Sequence, residues 1–117
     1  MKLTKVEKAQ PLSRVKDPVR GTITVAAVQV SWRRDPLEHQ SNLERAIRLA
    51  ADSGAEIVFL PELTLSRYPA DVCPTGVPSE TADALLGGTT YSFVSRLAKE
   101  LQISIHASLY EATGFED

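Results

Sequence analysis

A glutamate directly after an apolar segment is the side chain of this sequence best placed for catalysis. Leu60-Pro61-Glu62-Leu63 ends the apolar segment 57–60 (IVFL), and the proline cannot continue a strand's hydrogen-bond ladder. Open α/β sheets bind their ligands at the carboxyl ends of strands. A carboxylate partly withdrawn from water at such a place is suited to accept a proton near neutral pH. On position alone a solvated glutamate at a strand end is the commoner case, so both interpretations stay open.

Other residues that could do chemistry have weaker support. Cys73, the only cysteine, lies in a proline-rich loop with no strand leading into it, and we interpret it as a free thiol rather than a nucleophile. His39 is predicted to face solvent on a helix, and His106 to be a structural histidine on a strand. The sequence has neither a metal-ligand spacing nor a glycine-rich phosphate loop, so we predict no metal and no cofactor.

The elements around Glu62 follow the order strand, helix, strand, long loop, helix, strand. Strands are predicted over 22–30, 57–60 and 103–110, and the first two lack the alternation typical of a sheet with one exposed face. One helix begins with Asp35 as N-cap and Pro36 at its first position, and Gly54 closes it. A second helix spans 90–101, and a short one, capped by Ser79, is predicted over 81–86.

Strand, helix and strand with tight connections form a βαβ unit with a right-handed crossover. Three strands and two main helices cannot cover both faces of a parallel sheet. The sequence therefore predicts the opening part of a larger α/β domain.

Length and composition are those of one globular domain. The 117 residues are 43% hydrophobic and 24% charged, which excludes a disordered tail, a collagen-like chain and a coiled-coil rod. No apolar run approaches the ~20 residues that span a bilayer, and the N-terminus lacks a secretory signal, so no membrane partner is predicted. A single cysteine favours a reducing, cytoplasmic location.

The charge is uneven along the chain. Residues 1–21 hold six basic and two acidic side chains, a net charge of +4, while the rest carries −6. A basic segment of this kind could contact RNA or an acidic partner. Because no aromatic residue is interleaved for stacking on bases, we favour a solvated, flexible leader and predict no nucleic-acid partner.

Four segments, in their order and spacing, resemble the N-terminal part of the nitrilase superfamily, the carbon–nitrogen hydrolases. They are TVAAVQ at 24–29, NL at 42–43, GAEIVFLPEL at 54–63 and SLYE at 108–111. The resemblance implies a four-layer α-β-β-α sandwich, of which residues 22–117 would form the N-terminal, incomplete part. It also implies a homo-oligomer paired through helices in the full-length form.

The resemblance further implies hydrolysis of non-peptide C–N bonds in amides, carbamoyl amines or nitriles by a Glu-Lys-Cys site without a cofactor. Glu62 matches the general base, and the Tyr68-Pro69 pair matches the family where Arg67 does not, which makes Tyr68 a substrate-binding candidate. The family's Lys and Cys follow later strands, beyond Glu111. After Lys16 the only lysine is Lys99, on a predicted helix, so these 117 residues alone are expected to be inactive.

Two other interpretations remain. The chain could be a catalytically inactive, truncated fragment that self-associates or binds a partner through an uncovered sheet. A small flavodoxin-like ligand-binding domain is disfavoured, because it needs more strands and a phosphate loop that Ser31-Trp32-Arg33-Arg34 does not resemble.

Overall fold

The described part of the chain forms a parallel sheet of three strands with two helices. The structure, a computed structural model, describes residues 1–7, 12–13, 16, 19–68, 73 and 82–113. The elements in chain order are β1 (Val25–Ala27), α1 (Pro36–Asp52), β2 (Ile57–Phe59), α2 (Thr89–Leu101) and β3 (Ser104–His106). This order and the α/β class confirm the sequence prediction.

Helix α1 begins and ends where its capping residues predict. The Asp35 carboxylate accepts a hydrogen bond from the backbone N–H of Leu37 at 3.0 Å, and Pro36 opens the helix. This geometry satisfies one of the N–H groups that a helix start leaves unpaired. At the other end Gly54 has φ of 92°, a left-handed conformation that glycine adopts without steric cost.

The strands are shorter than the apolar runs that predict them. Strand β2 lies in the middle, with Val58 paired to Ala26 of β1 and Ile105 of β3. Between β1 and β2 the last hydrogen bond of the ladder runs from Val28 N to Phe59 O at 2.8 Å, just before Pro61. Because a strand pairs only as far as its neighbour extends, the short β2 limits both outer strands, whatever their own β propensity.

Both helices pack on the same face of the sheet. The strand order is β1-β2-β3, so the two crossovers run in the same direction, and a right-handed crossover then places each helix on the same side. The core lies between that face and the helices, and its best-buried side chains are Leu43, Ile47, Val58 and Leu97.

The opposite face of the sheet is bare. Phe59 is 43% exposed and Val25 is 55% exposed, whereas the neighbouring Val58 is fully buried. The lack of alternation in 22–30 is typical of a strand covered on both faces. The described residues cover only one face, in line with the prediction that two helices are too few for both. Residues 25, 27, 57, 59, 104 and 106 share this bare face, which carries no Asp, Glu, Lys or Arg; we call it the open face.

The start of α2 is capped from a distance by Asp83. Its carboxylate accepts hydrogen bonds from the backbone N–H groups of Thr89 at 3.0 Å and Thr90 at 2.7 Å. Gly88 lies so close that a Cβ there would collide with the Asp83 carboxylate and the carbonyl of Ala84. Gly88 is therefore needed for space, although its own backbone conformation is an ordinary extended one.

The predicted helix over 81–86 is wrong in its described part. Asp83 instead forms an isolated parallel bridge with Glu111, through the bonds from Asp83 N to Tyr110 O at 2.7 Å and from Ala112 N to Asp83 O at 2.9 Å. The backbone that a helix would use internally is thus paired with the segment after β3. The proposed cap Ser79 and residue 81 lie outside the described residues.

Four charged side chains join the two helices at their outer surface. Arg48 Nη2 lies 2.7 Å from Glu44 Oε1, Arg48 Nη1 lies 2.7 Å from Glu100 Oε1, and Arg96 Nη2 lies 2.7 Å from Glu44 Oε2. Hydrogen bonds from Arg96 and Arg48 hold the pKa of Glu44 below its usual value, and the bond from Arg48 does the same for the pKa of Glu100. Such a network stabilises the parallel helix pair more than isolated surface pairs would.

The proposed leader, 1–21, lies partly outside the described residues and remains a prediction. Its described residues are exposed and form neither helix nor strand. Within the described parts of the chain, neither helix has the length and hydrophobicity that crossing a bilayer requires.

Candidate active site

Glu62 lies at the carboxyl edge of the sheet, on the turn that follows β2. The strand ends at Phe59, Leu60 is buried, and the chain then turns through residues 61–66, which we call the Glu62 turn. Leu63, directly after the glutamate, has φ of 50°, a conformation that is uncommon for a side chain of this kind. A non-glycine residue held in this region indicates a turn that its surroundings constrain.

The Glu62 side chain is exposed. The expectation that its carboxylate is partly withdrawn from water is therefore not met by the described residues. The physical reason is the one-sided architecture, since the helices cover only one face of the sheet and leave the carboxyl edge open at this point.

Thr64 holds the Glu62 turn in place. Its backbone N–H donates to Ser108 O at 2.9 Å, and its hydroxyl donates to Pro61 O at 3.1 Å. The same hydroxyl oxygen accepts from the backbone N–H of Ser108 at 3.1 Å. Leu63 N–H adds a bond to Ser108 Oγ at 3.2 Å. The two residues after Glu62 are thus fixed to the extension of β3, and Pro61 before it is bonded to Thr64.

His39 supports the same turn from α1. Its Nε2 lies 3.0 Å from the backbone oxygen of Thr64, and the side chain is only 5% exposed. The ring of Trp32 covers it, with 4.5 Å between the ring centroids. The prediction that His39 faces solvent is wrong, because Trp32 and the Glu62 turn fold over the start of α1.

The missed signal was present in the sequence. His39 precedes the buried positions of α1 at helical spacing, which are Leu43, Ala46, Ile47 and Ala50. Polar neighbours suggested an outer face, but the periodicity of the apolar residues places position 39 on the inner one.

Tyr68 follows the Glu62 turn and is 47% exposed, and Arg67 beside it is also exposed. The structure describes Tyr68 but not residue 69, so the Tyr-Pro pair is only half described. The substrate-binding role of Tyr68 stays a prediction.

Cys73 is an exposed free thiol, and its interpretation as a residue other than the nucleophile stays a prediction. His106 is exposed on the open face, where its ring lies 5.3 Å from the ring of Phe59, measured between centroids. The side chains alternate along β3, since that of Ile105 turns to the core and that of His106 away from it.

Two open grooves lie on the helical side of the molecule, away from the Glu62 turn. One, of about 450 Å³, follows the outer surface of α1, and the other, of about 470 Å³, lies beside the start of α2 and includes Phe93 and Arg96. Glu62 lines neither groove. Among the described residues, no group of three or more His, Cys, Asp or Glu side chains is arranged to hold a metal ion.

The carboxyl edge thus presents one exposed carboxylate on a turn that three separate parts of the chain hold: β2 before it, the extension of β3 beside it and α1 behind it. Such a group can take up and return a proton at a fixed position. No second residue of the described chain completes a nucleophile–base pair with it in the way that thiol chemistry requires.

The comparison with protein families agrees with this geometry. The family model described as carbon-nitrogen hydrolase matches residues 24–116, from just before β1 to beyond β3. The chain belongs to the carbon–nitrogen hydrolase family. A comparison with curated proteins found no match.

Proposed function

We propose that this chain supplies the general base of a carbon–nitrogen hydrolase of the amidase, carbamoyl-amine hydrolase or nitrilase type. Its substrate would be a small molecule with a non-peptide C–N bond. The observation that supports the proposal is the position of Glu62, at the carboxyl edge of the sheet on a turn held by Thr64 and Ser108. The family match across β1, α1, β2, α2 and β3 gives the reaction class.

In this mechanism the Glu62 carboxylate takes the proton of a cysteine thiol, and the thiolate attacks the carbon of the C–N bond. For an amide, the leaving nitrogen takes that proton from Glu62 as its bond to carbon breaks, and a thioester remains. Glu62 then removes a proton from the attacking water, and the thioester is hydrolysed to the acid and the free thiol. A lysine and a backbone N–H stabilise the negative oxygen that forms in each step.

The lysine and the cysteine of this scheme are not among the 117 residues at the positions that the resemblance requires. Lys99 lies on α2 and is exposed, and Cys73 is an exposed thiol in a different part of the chain from β3. We therefore assign Glu62 as the base and Tyr68 as a residue that borders the substrate, and we assign the other two groups to none of these 117 residues. The protein would act in the cytoplasm and as a homo-oligomer.

A second candidate function is binding without catalysis. The specific observation in its favour is the open face, whose uncharged side chains include the exposed Val25 and Phe59. An apolar sheet face of this kind favours association with another sheet or another copy of the chain.

Release of ammonia or amine from a panel of simple amides, carbamoyl amines and nitriles distinguishes the two functions. The assay compares the protein purified from its own cell with the 117-residue chain made alone. We expect turnover of at least one class by the first sample and none by the second. Turnover by the 117 residues alone would contradict the Glu-Lys-Cys assignment, and a lack of turnover in both samples would leave the binding function.

A further inference from the structure

A buried histidine that the proposed mechanism does not use lies directly behind the Glu62 turn. His39 is the fourth residue of α1 and its backbone N–H makes the first bond of the helix, to Asp35 O at 2.9 Å. Its side chain is one of three buried polar or charged side chains in the described chain, and another of them is Thr64, its hydrogen-bond partner. Two buried polar residues from distant parts of the chain therefore meet at one contact.

The chemistry of this contact determines the form of the imidazole. A carbonyl oxygen only accepts hydrogen bonds, so the ring nitrogen that faces Thr64 O must carry the proton. His39 is then the Nε2–H tautomer, donating to Thr64 O at 3.0 Å. Its Nδ1 is buried and has no hydrogen-bond partner among the described residues, so the bond to Thr64 O is the polar contact that holds the ring there.

The bond completes the set of partners around Thr64, which is 1% exposed. The N–H and the hydroxyl of Thr64 bind Ser108 and Pro61, and its carbonyl is left for His39. Without His39 the carbonyl of Thr64 would be buried with no hydrogen-bond donor. The hydrogen bonds that remain would then connect the Glu62 turn to the sheet but not to α1.

We propose that His39 is the positioning residue of the Glu62 turn. It fixes the turn to the start of α1 through the Nε2–H···O bond, with Trp32 keeping water away from the ring. The importance of this positioning for catalysis rests on the proposed function of Glu62, whereas the bond and its effect on the turn do not.

Three variants of the full chain test the positioning role by amide hydrogen exchange. His39→Leu fills the space without a donor, and His39→Gln places an amide N–H near the position of Nε2. His39→Asn carries a similar amide too close to the helix to reach Thr64. The informative amides are those of Thr64 and Ser108, and the Leu97 amide in α2 reports global opening.

We expect exchange at Thr64 and Ser108 to be about tenfold faster in His39→Leu and His39→Asn, relative to Leu97, because a buried carbonyl has lost its donor. His39→Gln should restore most of the protection. The proposal is overturned if Gln protects no better than Leu, or if the turn amides change only in step with Leu97.

A second test uses the unsubstituted protein, so it does not depend on whether the variants fold. Nitrogen-15 chemical shifts of the His39 ring should show a proton on Nε2, the nitrogen that faces Thr64 O. An Nδ1–H tautomer, with Nε2 unprotonated, would overturn the proposal. Neither measurement involves turnover, so a failure here is distinct from a failure of the hydrolase function.

Discussion

Within the part of the chain that the structure describes, the Glu62 side chain makes no hydrogen bond or ion pair, and its neighbours hold the turn. The turn depends on Thr64, which bonds to Ser108, Pro61 and His39 with its N–H, hydroxyl and carbonyl. The sequence predicts Glu62 as the base, because a strand ending in Pro-Glu within a family motif is a local signal. It does not identify Thr64 or Ser108 as supports, because their pairing joins positions 44 residues apart.

Asp83 is the second residue whose role only the fold reveals. Burial acts to raise its pKa, but the hydrogen bonds from Thr90 and Thr89 outweigh this effect and hold the pKa below its usual value. A carboxyl group with a lowered pKa in the folded state stabilises the protein above its ordinary pKa. It loses that contribution as the pH falls through the ordinary value, near ~4, toward the folded-state value.

We predict that Asp83→Ala lowers the free energy of unfolding by about 1 kcal/mol at pH 7, because two N–H groups at the start of α2 lose their acceptor. The difference from the unsubstituted protein should shrink as the pH is lowered through about 4. Urea unfolding at several pH values measures it.

The matched control is Asp52→Ala, which removes an exposed carboxylate from the last residue of α1, where a negative charge is unfavourable. It should cost no stability. Equal losses in the two variants, or a loss in Asp83→Ala that is independent of pH, would argue against the capping role.

At the scale of elements, the helices follow their local signals closely and the strands do not. The cap at Asp35 and the glycine at 54 mark α1 to within a residue, since a helix satisfies its backbone internally. A strand depends on its partner, so the apolar run 22–30 yields only Val25–Ala27 beside the short β2. The predicted helix over 81–86 failed for a related reason, because the bridge to Glu111 is a long-range pairing.

The one-sided packing of the sheet predicts opposite outcomes for the same substitution on its two faces. Val58→Ala should lower the free energy of unfolding by about 2 kcal/mol, since the side chain is fully buried against the helices. Val25→Ala, on the open face of the neighbouring strand, should cost less than about 0.5 kcal/mol. Urea unfolding of both variants measures the difference.

A large loss in Val25→Ala would mean that the open face is covered in solution. Equal losses in the two variants would contradict the assignment of the core to the Val58 face.

At the scale of the whole molecule, three strands in sequential order with right-handed crossovers produce a sheet that helices cover on one face only. The sequence predicted that this set of elements is too small to cover a parallel sheet, and the exposed Phe59 and Val25 agree. It could not predict which face remains open, because that depends on the strand order. The resemblance to the carbon–nitrogen hydrolases implies a second sheet on the open face.

The proposed hydrolase activity depends most directly on the carboxylate of Glu62. We would compare Glu62→Gln with Glu38→Gln in the protein as its own cell makes it. Glu38 is an exposed glutamate at the start of α1, and its ion pair with Arg33 is long at 3.6 Å. Loss of the base should lower kcat/KM by about 10²- to 10⁴-fold in Glu62→Gln with an unchanged melting temperature, and Glu38→Gln should keep full activity. If Glu62→Gln retained most of the activity, Glu62 would not be the base and the central claim would be wrong.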